Sequence, residues 1–234
     1  AQEQLIRSVC ATGKPVVVVL VVGKPFAIPY IKEKVPAILA QWYAGEQAGN
    51  SIADILFGKV NPSGKLPFSF PQSTGHLPAY YNYLPTDKGY YKEPGTYTSP
   101  GRDYVFSSPA PLWTFGHGLS YTRFEYVQAT TDKTSYQPHD TIRISVKVKN
   151  SGKLAGKEVV QVYYEAPQGE LGKPARELIA FAKTKKLAPG ESQELTLEFK
   201  ISDMASYDDS GVTGHKSCYV LEAGEYNIYV GNSV

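Results

Sequence analysis

The sequence predicts a multidomain α/β plus all-β protein, in which the tail of an α/β sandwich with a mostly parallel sheet precedes a β-sandwich. Three observations predict this fold class. A β-branched run occurs near the start at 15–22, polar and apolar residues alternate at 142–149, and a segment without periodicity separates the two. We therefore expect three parts: the α/β portion at 1–70, an irregular connecting segment at 71–123, and the β-sandwich at 124–234.

The first part alternates helices and strands. Apolar residues at helical spacing predict a helix at 5–10 and another from Ala48 that ends at Gly58, and a short helix fits 28–34. Aliphatic runs predict strands at 15–22 and 37–43, and we expect the first to be covered on both faces, as in parallel sheets. Because the chain opens within a helix and without Met, we interpret it as the C-terminal part of a longer protein. A signal-peptide core at 15–22 is the disfavoured alternative, since no small-residue cleavage site follows it.

The connecting segment is rich in proline and tyrosine. Residues 71–112 contain seven prolines and seven tyrosines. Disordered linkers are poor in aromatic residues, and long irregular segments in compact proteins are often functional. We therefore expect an ordered strap whose rings cover the α/β domain or its neighbour. The tyrosines are Tyr80, Tyr81, Tyr83, Tyr90, Tyr91, Tyr97 and Tyr104.

Beyond Phe124 the pattern has period two. The strand predicted at 142–149 ends at a turn signal, 150–152. Further strands are predicted at 158–164, 178–183, 194–199, 217–221 and 226–230, with turns at 189–190, 209–211 and 223–224. Six or seven short strands in about 110 residues predict an immunoglobulin-like or fibronectin type III-like sandwich.

Composition excludes several classes of protein. The 24 Lys and Arg residues nearly balance the 22 Asp and Glu residues, and a net charge of +2 indicates no nucleic-acid or acidic-membrane partner. The longest aliphatic run, 16–22, is far shorter than the roughly 20 residues of a membrane-spanning helix. Cys10 and Cys218 lie far apart without a CxxC motif, so we expect buried thiols rather than a disulfide or a zinc site.

No complete catalytic constellation is visible in the residues. The segment 116–120 (GHGLS) brings His117 near Ser120 but lacks the Gly-x-Ser-x-Gly order of a serine hydrolase. The turn 45–49 (GEQAG) opens a helix where a backbone nest could hold an anion, but it lacks a nucleotide-binding motif. We interpret Glu46 as a first-turn carboxylate favoured by the helix dipole rather than as an acid catalyst.

Candidate metal ligands and charged patches are equally weak, so we predict no metal site and no cofactor. Asp203, Asp208 and Asp209 do not fit a calcium loop, and we expect a solvated turn there. The lysines of 183–186 indicate a charged strand edge that discourages aggregation. We expect the isolated histidines to face solvent; they are His76, His139 and His215.

Several longer motifs together resemble a known family. These are 13–20 (GKPVVVVL), 41–50 (QWYAGEQAGN), 52–58 (IADILFG), 61–68 (NPSGKLPF), 115–122 (FGHGLSYT), 155–163 (AGKEVVQVY) and 187–191 (LAPGE). In this order they resemble the C-terminal α/β sandwich and fibronectin type III-like domains of family 3 glycoside hydrolases, the β-glucosidase family. His117 stands where that family more often has Tyr, and another flat ring should preserve the turn.

The resemblance implies a retaining β-glycosidase, in which two carboxyl groups about 5 Å apart act as nucleophile and as acid/base. In the family, the nucleophile is an Asp of an N-terminal (β/α)8 barrel, absent here, and the acid/base is a Glu expected just before Ala1. We therefore assign no catalytic residue, and Glu46 and Glu93 match no catalytic motif. The implied partners are the barrel and a β-linked glucoside or oligosaccharide, with β-xyloside as the alternative substrate.

Substrate-binding residues stay unknown at this stage. Tyr80, Tyr81, Tyr90 or Trp113 could stack against the apolar face of an outer sugar, but we favour packing between domains. A non-catalytic carbohydrate-binding or domain-organising module is the rival function, since fold does not determine function. The α/β part argues against a pure adhesin. We favour a periplasmic or secreted location. The sequence leaves open whether the protein forms a homodimer.

Overall fold

The computed structural model describes residues 1–84 and 110–234. These residues form two compact units. The first contains Ala1–Val60, Phe68–Tyr80 and 110–114, and the second contains Asn61–Pro67, 81–84 and Phe115–Val234. The chain therefore passes into the second unit at Asn61 and returns to the first before the sandwich begins.

The first unit follows the predicted order of helices and strands. Its elements are α1 (Gln2–Cys10), β1 (Val17–Leu20), α2 (Pro29–Lys34), β2 (Ala37–Ala40) and α3 (Ala48–Leu56). β1 and β2 pair in parallel, with Val17 opposite Ala37. β2 ends earlier than predicted because Trp42 has a positive φ of 59°, which no strand accommodates.

The described helices of this chain do not enclose β1, which we expect to be covered on both faces. Val17 is 47% exposed, and the rest of β1 is only partly buried. Of the α-helices in the described residues, only α2 contains a buried residue, Ile31. Three short helices beside two strands offer too little area to enclose the sheet.

The second unit is a β-sandwich. Its strands in the described residues are β3 (Phe124–Thr131), β4 (Thr141–Asn150), β5 (Val159–Glu165), β6 (Glu177–Lys183), β7 (Ser192–Lys200), β8 (Ser206–Asp208), β9 (Cys218–Val220) and β10 (Asn227–Gly231). One antiparallel sheet has the order β3-β4-β7 and another has the order β10-β5-β6, while β8 and β9 form a hairpin. The predicted fold class is confirmed, and β3 and β8 are strands that the sequence did not predict.

The core of the sandwich comes from the inward positions of the alternating strands. Along β4, Ile142, Ile144, Val146 and Val148 are buried, and Arg143, Lys147 and Lys149 between and beside them are exposed. The cluster also contains Val160, Val162, Tyr164, Ala166, Leu197, Phe199, Ile201 and Met204. Burial of this apolar area, at about 25 cal/mol per Å², is the main stabilisation of the unit.

Candidate functional site

Asn61 positions the turn at 116–120, which contains Ser120, the residue closest to a nucleophile motif. The Ser120 hydroxyl donates a 2.9 Å hydrogen bond to Oδ1 of Asn61, which also accepts one from the Tyr121 N–H at 2.8 Å. Nδ2 of Asn61 donates to the Ala155 carbonyl at 3.1 Å. An amide oxygen is not a general base, so this bond orients Ser120 without activating it. The hydroxyl therefore helps to hold the turn.

Lys65 links the same turn to the residue before β5, Glu158, through a buried ion pair. Its ammonium group donates to the Gly118 carbonyl at 2.8 Å and lies 3.0 Å from the Glu158 carboxylate. The backbones also approach closely, since a Cβ at Gly118 would lie 2.2 Å from the carbonyl oxygen of Gly64. Only glycine fits at this position. Lys65 and Glu158 both belong to motifs quoted above, but nothing in the sequence indicated that they meet.

Gln161 makes a second polar link inside the sandwich. Its Nε2 donates to the carbonyls of Gly116 at 3.1 Å and Asn232 at 2.8 Å. The Tyr163 hydroxyl donates to Oε1 of Gln161 at 2.5 Å. Burial raises the pKa of Tyr163, so the phenol keeps its proton and remains a donor. Asn61, Lys65 and Gln161 thus each form a hydrogen bond with residues of 116–121 and together position this backbone segment.

A second buried ion pair was not anticipated. Lys173 is 1% exposed, and its ammonium group donates to the Pro167 carbonyl at 2.8 Å and to the Glu222 carboxylate. Glu222 also accepts the Glu170 N–H at 2.7 Å. The hydrogen bond from Lys173 is the main cause that lowers the pKa of Glu222. The pair orders the β5–β6 loop, and no local sequence signal identifies it.

The expectation of a solvated turn at Asp208 is wrong. Asp208 is fully buried, and its carboxylate accepts hydrogen bonds from Ser210 Oγ at 3.0 Å, the Gly211 N–H at 2.6 Å, and the N–H and hydroxyl of Thr213 at 3.0 and 2.7 Å. These donors satisfy the charge inside the loop. Asp209 is exposed, and Asp203 accepts the Lys200 N–H. Within the described ranges, no group of three acidic, His or Cys side chains could hold a metal.

Two further burial expectations were wrong. His76 is buried rather than solvent-facing, because its Nδ1 accepts the Gln72 N–H at 3.2 Å within a tight turn. Cys218 is exposed and Cys10 only half-buried; both are free thiols. Cys218 lies on the short β8–β9 hairpin, whose two strands cannot bury both faces. His139 and His215 are exposed, as expected.

Glu46 is exposed in the turn before α3. The helix begins at Ala48 with Gln47 as its N-cap, so Glu46 precedes the first turn instead of lying in it. Glu93 lies outside the described residues. Lys183 ends the sheet-edge strand β6, and Lys185 pairs with Glu191 at 2.7 Å on the surface. This placement agrees with a charged strand edge.

The candidate sugar-stacking rings that the structure describes lie in different surroundings. Trp113 contacts Phe70 edge-on at 5.5 Å within the first unit. Tyr81 stacks on Phe115 at 4.3 Å, contacts Tyr163 edge-on, and accepts the Leu178 N–H at 3.1 Å. Both rings therefore pack inside a unit. Tyr80 is 65% exposed. Tyr90 and the strap tyrosines Tyr91, Tyr97 and Tyr104 lie outside the described ranges.

The fold defines a class of protein in which an α/β layer is followed along the chain by a fibronectin type III-like sandwich. Within the sandwich unit, buried and half-buried polar side chains hold residues 116–121 in place. Comparison with known families agrees with this class. Residues 1–121 match the model of the glycosyl hydrolase family 3 C-terminal domain, and residues 158–234 match that of the fibronectin type III-like domain. The chain belongs to glycosyl hydrolase family 3, as the C-terminal part of such a protein.

Individual relatives are glycosidases. The chain is 38% identical to the periplasmic beta-glucosidase of Salmonella typhimurium, over 99% of this chain and 29% of that protein. It is 38% identical to a beta-xylosidase of Formosa agariphila, over 99% of this chain and 30% of that protein. A solved beta-glucosidase from Erythrobacter marinus superimposes with a TM-score of 0.86 at 38% identity, covering 100% of this chain and 28% of that one. The chain thus spans less than a third of the length of each of these three relatives.

No helix in the described part of the chain has the length and apolar character needed to cross a membrane.

Proposed function

We propose that this chain is the C-terminal portion of a retaining β-glycosidase that removes terminal β-linked glucose from oligosaccharides or glucosides. The observation that carries the proposal is the match of residues 1–121 to the glycosyl hydrolase family 3 C-terminal domain, in a chain that spans about 29% of a β-glucosidase relative. The finer assignment to β-glucosidase rests on the names of the relatives. The Salmonella typhimurium relative also supports a periplasmic location.

The chain's own role in this proposal is support. A retaining mechanism needs two carboxyl groups about 5 Å apart, one attacking the anomeric carbon and one protonating the leaving oxygen. Of the acidic residues considered above, Asp208 is enclosed by its own loop and Glu46 lies in an exposed turn. The proposal places both catalytic carboxylates outside this chain, with the nucleophile on an N-terminal (β/α)8 barrel of the same polypeptide.

A β-xyloside is the second candidate substrate. A beta-xylosidase relative is as similar to the chain as the periplasmic beta-glucosidase, at 38% identity over 99% of the chain. This portion of the protein therefore does not distinguish the two sugars. The pocket for the first sugar belongs to the barrel in this proposal.

The test compares the 234-residue chain with the full-length native polypeptide on 4-nitrophenyl β-glucoside and β-xyloside. We expect turnover only by the full-length polypeptide, with glucoside preferred. Turnover by the isolated chain that disappears in Glu46→Gln would contradict the proposal and place a catalytic group within the chain. A native polypeptide near the 25.7 kDa of this chain would favour the non-catalytic module instead.

A further inference from the structure

In the sandwich unit, Leu66 pairs with the turn that precedes β3. Its N–H donates to the His117 carbonyl at 2.8 Å, and its carbonyl accepts the Gly116 N–H at 2.8 Å. Leu66 and both of its partners belong to the sandwich unit. Exchange of N–H and carbonyl groups in this way is typical of neighbouring antiparallel strands.

Phe70 makes the same arrangement in the first unit. Its N–H donates to the Trp113 carbonyl at 2.9 Å, and its carbonyl accepts the Leu112 N–H at 2.8 Å. Phe70 and Trp113 form an antiparallel bridge. These three residues all belong to the first unit.

The two pairs share one register, because the residues of one pair lie four positions from those of the other, in opposite directions along the chain. They therefore belong to one antiparallel ribbon, formed by the segments 66–70 and 112–117. On both strands of this ribbon the chain crosses from one unit to the other, after Pro67 and after Thr114. At most two residues separate a crossing from a hydrogen-bonded residue of the ribbon, so neither crossing is a flexible linker.

Side chains anchor the ribbon in the sandwich unit. The buried ammonium group of Lys65 contacts the Gly118 carbonyl and the Glu158 carboxylate. The ring of Phe115 stacks on Tyr81 at 4.3 Å. Loss of the sandwich fold would therefore remove the partners of this end of the ribbon.

Aromatic side chains anchor the ribbon in the first unit. Phe70 is 1% exposed and contacts Trp113 edge-on at 5.5 Å. Trp42 lies 6.2 Å from Phe70, and the Lys32 ammonium group donates to the Leu112 carbonyl. The same two strands are therefore held by side chains in each unit.

The ribbon also supplies half of the buried apolar residues of the first unit. Within the described ranges these residues are Ile31, Val35, Phe70 and Leu112, and the last two belong to the ribbon. The sandwich has a larger core of its own. The first unit of this chain therefore depends on the ribbon for much of its apolar burial, which is the main source of stability.

We propose that the ribbon makes the two units of this chain unfold as one cooperative unit, so that the sandwich stabilises the α/β part. If the sandwich unfolded alone, the ribbon would keep only the pairing in the first unit, and two strands by themselves are marginally stable in water. Coupling of this kind needs no substrate and no catalytic group, so it does not depend on the proposed function.

The two tryptophans of the chain allow the units to be followed separately. Trp42 and Trp113 both lie in the first unit, so their fluorescence reports its unfolding. Pulsed hydrogen exchange of β4 reports the unfolding of the sandwich along the same urea series. In the 234-residue chain we expect the two urea midpoints to coincide. Separate midpoints would overturn the inference.

Core substitutions in each unit test the coupling directly. Val146 is fully buried in the sandwich, and Val146→Ala should lower both midpoints equally, by about 0.5–1 M urea. Ile31→Val, at a buried position of α2, should also shift both midpoints together, by a smaller amount. A variant that shifts only the midpoint of its own unit would show that the units unfold independently and would overturn the inference.

Insertions test whether the ribbon is the cause of the coupling. Gly-Ser-Gly-Ser placed both after Pro67 and after Thr114 keeps the hydrogen-bonded pairs but separates them, and should split unfolding into two transitions. The same linker inserted twice in succession between Thr134 and Ser135, which are exposed in the β3–β4 loop, is the matched control and should leave one transition. One transition in the ribbon variant would overturn the inference. If that variant does not fold, equal midpoint shifts in Val146→Ala support the inference and unequal shifts overturn it.

Discussion

The ammonium nitrogen of Lys65 lies 3.0 Å from a carboxylate oxygen of Glu158, and the two side chains keep only 11% and 7% of their surface exposed. Glu158 immediately precedes β5, and Lys65 lies in the 61–67 segment that enters the sandwich unit from the α/β part of the chain. A charge buried to this extent is costly unless it is paired. Through this pair, residues 61–67 contribute to the stability of the sandwich.

Replacing Lys65 by Met should destabilise the sandwich by about 3–5 kcal/mol, because Glu158 would keep a buried charge without its cation. The measurement is urea unfolding of the chain, followed by circular dichroism. Lys59→Met is the matched control, since Lys59 pairs with Asp54 on the surface and should change stability by less than about 1 kcal/mol. The double variant Lys65→Met/Glu158→Gln should recover part of the loss. Equal effects of Lys65→Met and Lys59→Met would contradict the role of burial.

Asp208 should make the stability of the β8–β9 loop dependent on pH. The Thr213 hydroxyl is the main cause that holds the pKa of Asp208 well below its usual range, and backbone N–H groups of Thr213 and Gly211 add to it. A pKa depressed in the folded state means that the carboxylate stabilises the fold above the unfolded pKa, about 3.9, and that this contribution is lost as the pH falls further.

We therefore expect Asp208→Asn to lower the melting temperature by several degrees at neutral pH, with the difference from wild type shrinking below about pH 4. Thermal unfolding monitored across pH measures this. Asp209→Asn, at the exposed neighbouring position, should show no such pattern. A difference that stays constant from neutral to acidic pH would show that the charge of Asp208 is not what stabilises the loop.

Tyr81 should contribute to stability rather than to sugar preference. Tyr81→Phe leaves the Leu178 N–H without its acceptor and should cost about 1 kcal/mol, or a few degrees of melting temperature. Tyr81→Ala also loses the ring stacked on Phe115 and should cost more. Tyr80→Ala, at a more exposed ring, is the control. A Tyr81→Ala enzyme with native stability but weaker action on oligosaccharides would show that the ring binds sugar.

The boundary of the sandwich can be tested with two fragments. The sequence places its start at Phe124, but Gly116 accepts a hydrogen bond from Gln161 and the carbonyl of Phe115 accepts one from the Val234 N–H. We expect 115–234 to unfold at a higher temperature than 124–234 in calorimetry. Identical transitions would mean that residues 115–123 add nothing to the sandwich and would support the boundary at Phe124.

Regular periodicity explains which elements the sequence predicts correctly. The stripe of Ala48, Ile52 and Ile55 becomes α3, and the alternation of 142–149 becomes β4. The missed strands lack such patterns: β3 contains an irregularity between Tyr126 and Gln128 that shifts its register, and β8 has only three residues. Periodicity averages over several residues, so bulged or very short strands leave too little signal.

The candidate sites also divide into features that a local sequence pattern predicts and features that it does not. Chemistry that needs neighbours in sequence, such as a Ser-containing elbow or a calcium loop, was assessed from the motifs themselves. The burial of single polar residues could not be predicted from motifs. Asp208 and His76 are the examples, since both are buried. Whether a polar side chain is buried depends on donors and acceptors that the fold brings to it, and Asp208 is buried because its own loop closes around the carboxylate.

The sequence by itself determined the order of elements, the change from helical to strand periodicity, and the motifs that resemble family 3 glycoside hydrolases, because each depends on residues close together in the chain. Only the tertiary structure decided that Lys65 pairs with Glu158, that Lys173 pairs with Glu222, and that Leu66 pairs with His117. These contacts join segments distant in sequence. Their geometry depends on how the strands register and how the loops close, and no local pattern encodes either.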